Sequence, residues 1–215
     1  MRVGGTFVSV HFGAIGLGFA DEVNMFIFKI VYWLVIVGQI IIRFPWQKIW
    51  RGADKKVQRV SQTERAILSL LLVGGFVFPL IYSVTSWLAF ADYTLPTWAG
   101  WLGVALAAIS LLLFALGHRD LKKFWSPSLE IIEGHKLITS GIYKYIQHPM
   151  YASQFVVTFA QILLLQNWIA GPIGLVCFVP FYLVRVKEEE KLMQETFGDE
   201  YLKYKEKTGG LFPKI

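Results

Sequence analysis

Between His135 and Tyr151 the chain reads HKLITSGIYKYIQHPMY, which puts two histidines, three tyrosines and two lysines within 17 residues, directly ahead of a long uncharged run. Apolar helices need only fill a bilayer, so a polar, aromatic interruption of this kind needs its own explanation. Polar and ionisable groups at membrane depth mark cofactor or substrate sites. The structural reading of the same residues is an interfacial loop whose aromatics lie among the headgroups. A second candidate pair is Arg185 and Glu189, four residues apart and therefore on one face of a helix. A surface ion pair at that spacing is common and contributes only about 0.3 to 0.5 kcal/mol. Arg185, however, is the first charge after the 36 uncharged residues Pro149 to Val184, at the depth where an amphipathic substrate would present its polar end. His135 and His148 could pair on zinc, but no third and fourth His or Cys follows at ligand spacing. The sequence contains neither an evident nucleophile-and-base set nor a glycine-rich phosphate loop or dinucleotide fingerprint.

The rest of the chain positions these groups in a membrane. Of 215 residues, 55% are hydrophobic, 16% aromatic and only 17% charged, far from the soluble balance. The net charge of +6 does not form a basic stripe of the kind that reads nucleic acid; the basic residues fill the gaps between apolar runs, where anionic headgroups attract them. The expected fold is an all-α integral membrane protein with about five transmembrane helices. Val23–Ile42, Ala66–Ala91 and Thr97–Gly117 are spans one to three, with a kink at Pro79 behind Gly74 and Gly75. As one helix, Pro149 to Val184 would reach roughly 54 Å, so it must fold back at Gln166 and Asn167 into a hairpin of spans four and five. Residues 1–22 read as a re-entrant or interfacial lead-in, 23–117 as spans one to three, and 118–215 as the catalytic region. The link Arg43–Val60 is expected to lie along the membrane surface, and the tail to form an amphipathic helix broken at Gly198. Cys177, alone and within an apolar run, reads as small-residue packing.

Orientation follows from the charges. Arg43–Arg65 holds seven Lys and Arg, His118–His148 five and Arg185–Ile215 seven, while Asp92–Pro96 and Gln166–Trp168 hold none. This alternation puts the His135–Tyr151 segment and the tail on one side, the cytoplasmic one. The oligomeric state is not legible.

HKLITSGIYKYIQHPMY, followed 34 residues after Tyr151 by RVKEEEKLMQETFGDEYLKYKEKTGGLFP, resembles the isoprenylcysteine carboxyl methyltransferase family over roughly Gly134 to Pro213. The family's enzymes are integral to the membrane and use S-adenosyl-L-methionine. The resemblance implies cofactor contacts from His135, Lys136, Leu137, Ile138, Tyr143, His148, Pro149, Met150, Tyr151 and Glu189. It also implies a catalytic pair of Arg185 and Glu189, with Arg185 binding the acceptor. That acceptor would be lipid-like or amphipathic, such as the carboxylate of a prenylated cysteine. Ile142 and Gln147 stand where many relatives have Pro and Arg, and Gly210 where bacterial relatives often carry Arg; these departures bear on the acceptor more than on the cofactor. Nicotinamide-dependent sterol reductases resemble the same region, so a membrane reductase is the enzymatic alternative. A carrier or structural membrane protein is the other alternative, although no internal repeats are visible.

The residue chemistry suits the sulfonium cofactor. Glu189 could hold its ammonium, backbone amides near Pro149 its carboxylate, and Tyr143 or Tyr151 its cation or adenine. A carboxylate acceptor is already ionised at neutral pH and needs no base; a thiol or amine would call on His148 or Glu189.

Overall fold

The computed structural model describes residues 12–58 and 62–214. Among these residues are seven α-helices, α1 Phe12–Arg51, α2 Gln62–Leu72, α3 Phe78–Val84, α4 Thr97–Leu121, α5 Pro149–Leu165, α6 Ile173–Phe197 and α7 Asp199–Lys207, and a small ribbon of β1 Lys55–Gln58 and β2 Glu130–Ile132. Three helical stretches are long and apolar enough to cross a membrane: Asp21–Arg51, Arg65–Val84 and Thr97–Phe124. The hairpin of α5 and α6 is shorter, α5 covering roughly 26 Å and the apolar part of α6, Ile173 to Val184, roughly 18 Å.

The helix of the first span is longer than expected at both ends. No turn separates a lead-in from the span, because residues 12–22 already belong to α1; residues 1–11 lie outside the described residues. The basic link divides into two parts. Its first part continues α1 through Pro45 to Arg51, where the Trp50 indole donates to Glu130 (2.7 Å). Its later part is β1, antiparallel to β2 with Lys55 opposite Ile132 and Gln58 opposite Glu130. The all-α expectation is therefore amended by this one ribbon, which the alternation of charge and aromatics in the link concealed.

The second span also ends sooner than expected, at Val84 rather than Ala91. The hydroxyls of Ser83 and Thr85 turn back onto the carbonyls of Pro79 and Ile81 (both 2.7 Å), and Thr85 is extended. The expected kink takes the form of a π turn, Val73–Val77, between α2 and α3. Pro79 has no N–H to return to Gly75, and the freed Gly75 carbonyl accepts from the Tyr32 hydroxyl of α1 (2.6 Å). The Gly74 carbonyl accepts from Gln161 Nε2 of α5 (3.0 Å), which also donates to Ala170 (2.7 Å). A side chain at Gly74 would meet Cys177 Cβ and the Ile173 carbonyl at 2.8 Å, so the buried thiol belongs to a close helix contact, as read.

α4 packs on α5 through small residues, the arrangement that membrane helices favour. Gly103, Ala107, Ser110 and Gly117 of α4 are buried, and Ser153 of α5 donates to the Ser110 carbonyl (2.8 Å). At one end of the bundle the two connections without Lys or Arg are tied together. Tyr93 N–H donates to the Gln166 carbonyl (3.0 Å), Trp168 N–H to the Ala91 carbonyl (2.9 Å), and Asn167 Nδ2 to Leu88 and Asp92 (2.7 and 2.8 Å). At the opposite end the 141–148 segment meets the tail, which is the grouping the charge alternation implied.

Asn167 is fully buried, and its Oδ1 also accepts from Ile169 and Ala170. Asn167→Ala strands all of these groups, each costing about 1 to 3 kcal/mol when buried and unpaired. We expect a clearly lowered Tm in detergent; an unchanged Tm would show that this turn does not hold the two connections together.

Candidate active site

His148 caps the N-terminus of α5 and Pro149 occupies its first turn, where a fixed φ and a missing N–H carry no penalty. The segment before it is held from two sides. Asp120, at the end of α4, accepts the Ile142 N–H (2.8 Å); Gly141, with φ +64°, leaves room for that carboxylate, which a Cβ would meet at 2.1 Å. From the tail, Tyr204 donates to the Tyr143 carbonyl (2.7 Å), and the carbonyls of Gly209 and Gly210 accept the N–H groups of Gln147 and His148 (2.8 and 3.2 Å). Those two amides are thus committed to the tail, so an anion at this helix start would have to use the next ones, Met150 and Tyr151. No side chain caps the helix there.

Charged groups converge where α5 and α6 leave the apolar layer. Tyr151 donates its hydroxyl to Glu189 and accepts from Arg185 Nε (3.2 Å), while Arg185 Nη2 donates to the Pro127 carbonyl (3.1 Å). The His148 ring lies between two carboxylates, Nδ1 3.7 Å from Glu189 and Nε2 3.6 Å from Glu190, and Lys205 bridges to Glu190 at 2.6 Å. The first two separations are ion-pair distances, too long for hydrogen bonds. Arg185 and His148 are only 5% and 6% exposed, so the opposite charges are what make their burial tolerable.

Burial alone would lower the His148 pKa, but Glu189 and Glu190 outweigh it and hold the imidazolium up to about 9. In return His148, with Lys205, holds Glu190 down at about 2. Glu189, which burial would push up, is kept below the usual range by His148, Tyr151 and Arg185. His135 behaves in the opposite way: stacked on Phe124 (4.9 Å between ring centres) and tilted against Phe197 (5.7 Å), it is pushed by burial to about 4 and is neutral.

A cavity of about 610 Å³ joins these parts. Among the candidate residues, His135, Leu137, Ile138, Tyr143, His148, Pro149, Met150, Tyr151, Arg185 and Glu189 line it. Lys136 is exposed and outside the lining. The same cavity continues past Ile36 and Ile40 of α1 to Leu68 and Leu72 of α2 and to Phe76 of the π turn. Both ring nitrogens of His135, His148 Nε2 and the Tyr201 hydroxyl are buried without hydrogen-bond partners. All three residues line the cavity, and such groups ordinarily find one.

Sequence reasoning missed Lys205, Tyr201, Tyr204, Phe124 and Phe197 as parts of the site, and noted Glu190 only in a pattern with Arg185 and Glu189 that resembles the methyltransferases, without a role. The helical spacing of Phe197, Tyr201 and Tyr204 was visible, but nothing in it showed that the face would turn onto the 135–151 segment. Trp125 and Glu130 carried no signal in the sequence.

A helical bundle with three stretches long and apolar enough to cross a membrane, and a cavity that runs from a charged cluster into an apolar lining, defines the class as an integral membrane protein. Residues 101–195 match the model of the isoprenylcysteine carboxyl methyltransferase (ICMT) family. It is similar to the protein-S-isoprenylcysteine O-methyltransferase of Rattus norvegicus, 29% identical over 183 residues that make up 78% of this chain and 62% of that protein. The enzyme of the same name from Schizosaccharomyces pombe is 32% identical over 81 residues, 38% of this chain and 34% of that one. An uncharacterized protein of Haemophilus influenzae is 27% identical over 97 residues, 45% and 55% of the two chains. The chain thus spans between about a third and three fifths of the length of these relatives.

Because the folded-state pKa of His148 is raised above its ordinary 6.5 to about 9, its ion pairs contribute fully below pH 6.5 and are lost as pH rises through about 9. The Tm of the detergent-solubilised protein should therefore fall between pH 7 and pH 10, and His148→Asn should flatten that fall. A parent and variant with parallel profiles would show that the imidazolium is not held between the two carboxylates.

Proposed function

We propose that the chain transfers a methyl group from S-adenosyl-L-methionine to an amphipathic acceptor, such as the carboxylate of a prenylated cysteine, at the cytoplasmic face of the membrane. The observation that carries this reading is the single cavity that is acidic and aromatic at one end and apolar, between α1 and α2, further in. The family match and the names of the relatives support the reaction, and the clustering of Lys and Arg at the site's end of the bundle supports the side.

The residues present fit the cofactor. His135, His148 and Tyr201 offer buried polar atoms that lack partners, Glu189 is an ionised carboxylate for an ammonium, and Phe124, His135 and Phe197 form an aromatic shelf for a flat heterocycle. The first-turn amides of α5 at Met150 and Tyr151 would hold its carboxylate. When bound, S-adenosyl-L-methionine supplies an electrophilic methyl group on a sulfonium sulfur.

The protein's part is alignment and exclusion of water. Glu189 is kept anionic by His148 and Tyr151, and so stabilises positive charge nearby. Tyr151, fixed between Arg185 and Glu189, is a rigid wall, with Phe181 and Tyr182 edge-on to its ring at 5.9 and 5.7 Å between centres. Arg185 braces Tyr151 and the Pro127 carbonyl together while giving the acceptor's side of the cavity positive charge. No general base is needed for a carboxylate, which is already ionised at neutral pH.

The direct test is transfer of labelled methyl from S-adenosyl-L-methionine to N-acetyl-S-farnesylcysteine by the protein in lipid nanodiscs. We expect turnover in the parent. Glu189→Gln should weaken S-adenosylhomocysteine binding about tenfold to a hundredfold, the loss expected for a charged hydrogen-bond partner. Arg185→Lys should lower turnover by a similar factor while leaving that affinity nearly unchanged, since an ammonium lacks the planar fork whose separated Nε and Nη2 reach Tyr151 and Pro127 together. Parental affinity in a folded Glu189→Gln variant would remove Glu189 from the cofactor, and parental turnover in Arg185→Lys would remove the brace from the mechanism.

A further inference from the structure

Two arginines line the cavity, Arg185 from α6 and Arg43 from α1, and the protein uses them differently. Arg185 spends Nε on Tyr151 and Nη2 on the Pro127 carbonyl. Arg43 makes no hydrogen bond or ion pair among the described residues; its guanidinium carbon lies 5.3 Å from the ring centre of Phe114 and 5.6 Å from that of Trp125. Those rings are 1% and 3% exposed, so they form a fixed platform. Contact with ring faces holds a guanidinium in place without consuming its five N–H donors, which lie in its own plane. Trp125 also opens the short stretch that ends at Pro127, where Arg185 is tied, so both arginines bear on the same three residues.

The cavity therefore holds two kinds of charged group: carboxylates and an imidazolium at Glu189, Glu190 and His148, and an accessible, hydrogen-bond-free guanidinium at Arg43. Ile40 and Ile36, about one and two turns before Arg43 on α1, line the same cavity with Leu68 and Leu72 of α2. Arg43 is placed where a ligand with an apolar chain and an anionic oxygen head would bring that head. The chemistry is shared by a carboxylate and by a lipid headgroup phosphate, since both match the planar fork.

We propose that Arg43 binds the anionic head of the amphipathic ligand, which, on the methyl-transfer reading above, is the carboxylate of the acceptor. Arg185 is then a positioning residue, and Arg43 the residue that selects acid over neutral analogues. The sequence hid this, because Arg43 stands at the start of a basic link where every charge reads as a headgroup contact.

The experiment measures binding of N-acetyl-S-farnesylcysteine and of its carboxamide to the parent, Arg43→Gln and Arg43→Lys, in uncharged detergent with and without added phosphatidylglycerol. The parent should favour the acid by about tenfold or more. Arg43→Gln should bind acid and amide alike, with S-adenosylhomocysteine affinity unchanged as a check on folding. Arg43→Lys, which keeps a cation over the two rings, should retain part of the preference. Added phosphatidylglycerol should not displace the acid. Equal binding of acid and amide by the parent, or a preference that survives in Arg43→Gln, would overturn the proposal. Displacement by phosphatidylglycerol would overturn the acceptor as the source of the anion. A parent that binds no S-adenosylhomocysteine would refute the methyl-transfer reading, while the acid-to-amide ratio in parent and variant still decides the role of Arg43.

Discussion

The hydroxyl of Tyr151 accepts a hydrogen bond from Arg185 and donates one to Glu189, and the charged end of the molecule is arranged around that relay. A guanidinium that is 95% covered cannot be left unpaired at a membrane boundary. Here the cation and the carboxylate four residues along α6 are linked through a side chain of α5. The relay therefore holds the two helices together as they leave the apolar layer. It fixes Glu189 beside His148, and through Pro127 it draws the loop between α4 and β2 onto the same place. Without Tyr151, two charges of α6 would have to find other partners, and the cavity would lose one wall.

A second set of polar contacts, deep among apolar side chains, sets the shape of the other wall. Pro79 leaves the Gly75 carbonyl without its helical donor, and in a bilayer water cannot take its place. Tyr32 supplies one donor and Gln161 another at Gly74, so the π turn is pinned to both α1 and α5. Gly75 and Phe76 of that turn line the cavity. The kink is thus the means by which α2 and α3 bend around an apolar compartment continuous with the charged cluster.

Most of the architecture could be read in the sequence, for physical reasons that particular residues show. The charge-free run from Pro149 to Val184 is too long for one span, and Gln166 and Asn167 turn it because their side chains can satisfy a tight connection. Gly74, Gly75 and Pro79 announced a kink, though not that it would take a π form. Arg185 and Glu189 share a site because helical spacing is rigid. What sequence alone could not give are contacts set by tertiary approach. β1 pairs with β2 across some 75 residues, and no local pattern marks three residues as a strand. Glu190 belonged to a pattern with Arg185 and Glu189 that resembles the methyltransferases, but its place between His148 and Lys205 depends on how α5 and α7 approach α6. Arg43 was indistinguishable from its basic neighbours until Phe114 and Trp125 appeared beneath it.

The central claim is that the charged end of the cavity is built for a sulfonium cofactor and its thioether product rather than for a reduced nicotinamide. The most direct measurement is titration of the purified protein with S-adenosylhomocysteine and, separately, with NADPH, each followed by calorimetry in detergent. The account predicts saturable, one-site binding of S-adenosylhomocysteine and none of NADPH. Saturable binding of NADPH without binding of S-adenosylhomocysteine would contradict it.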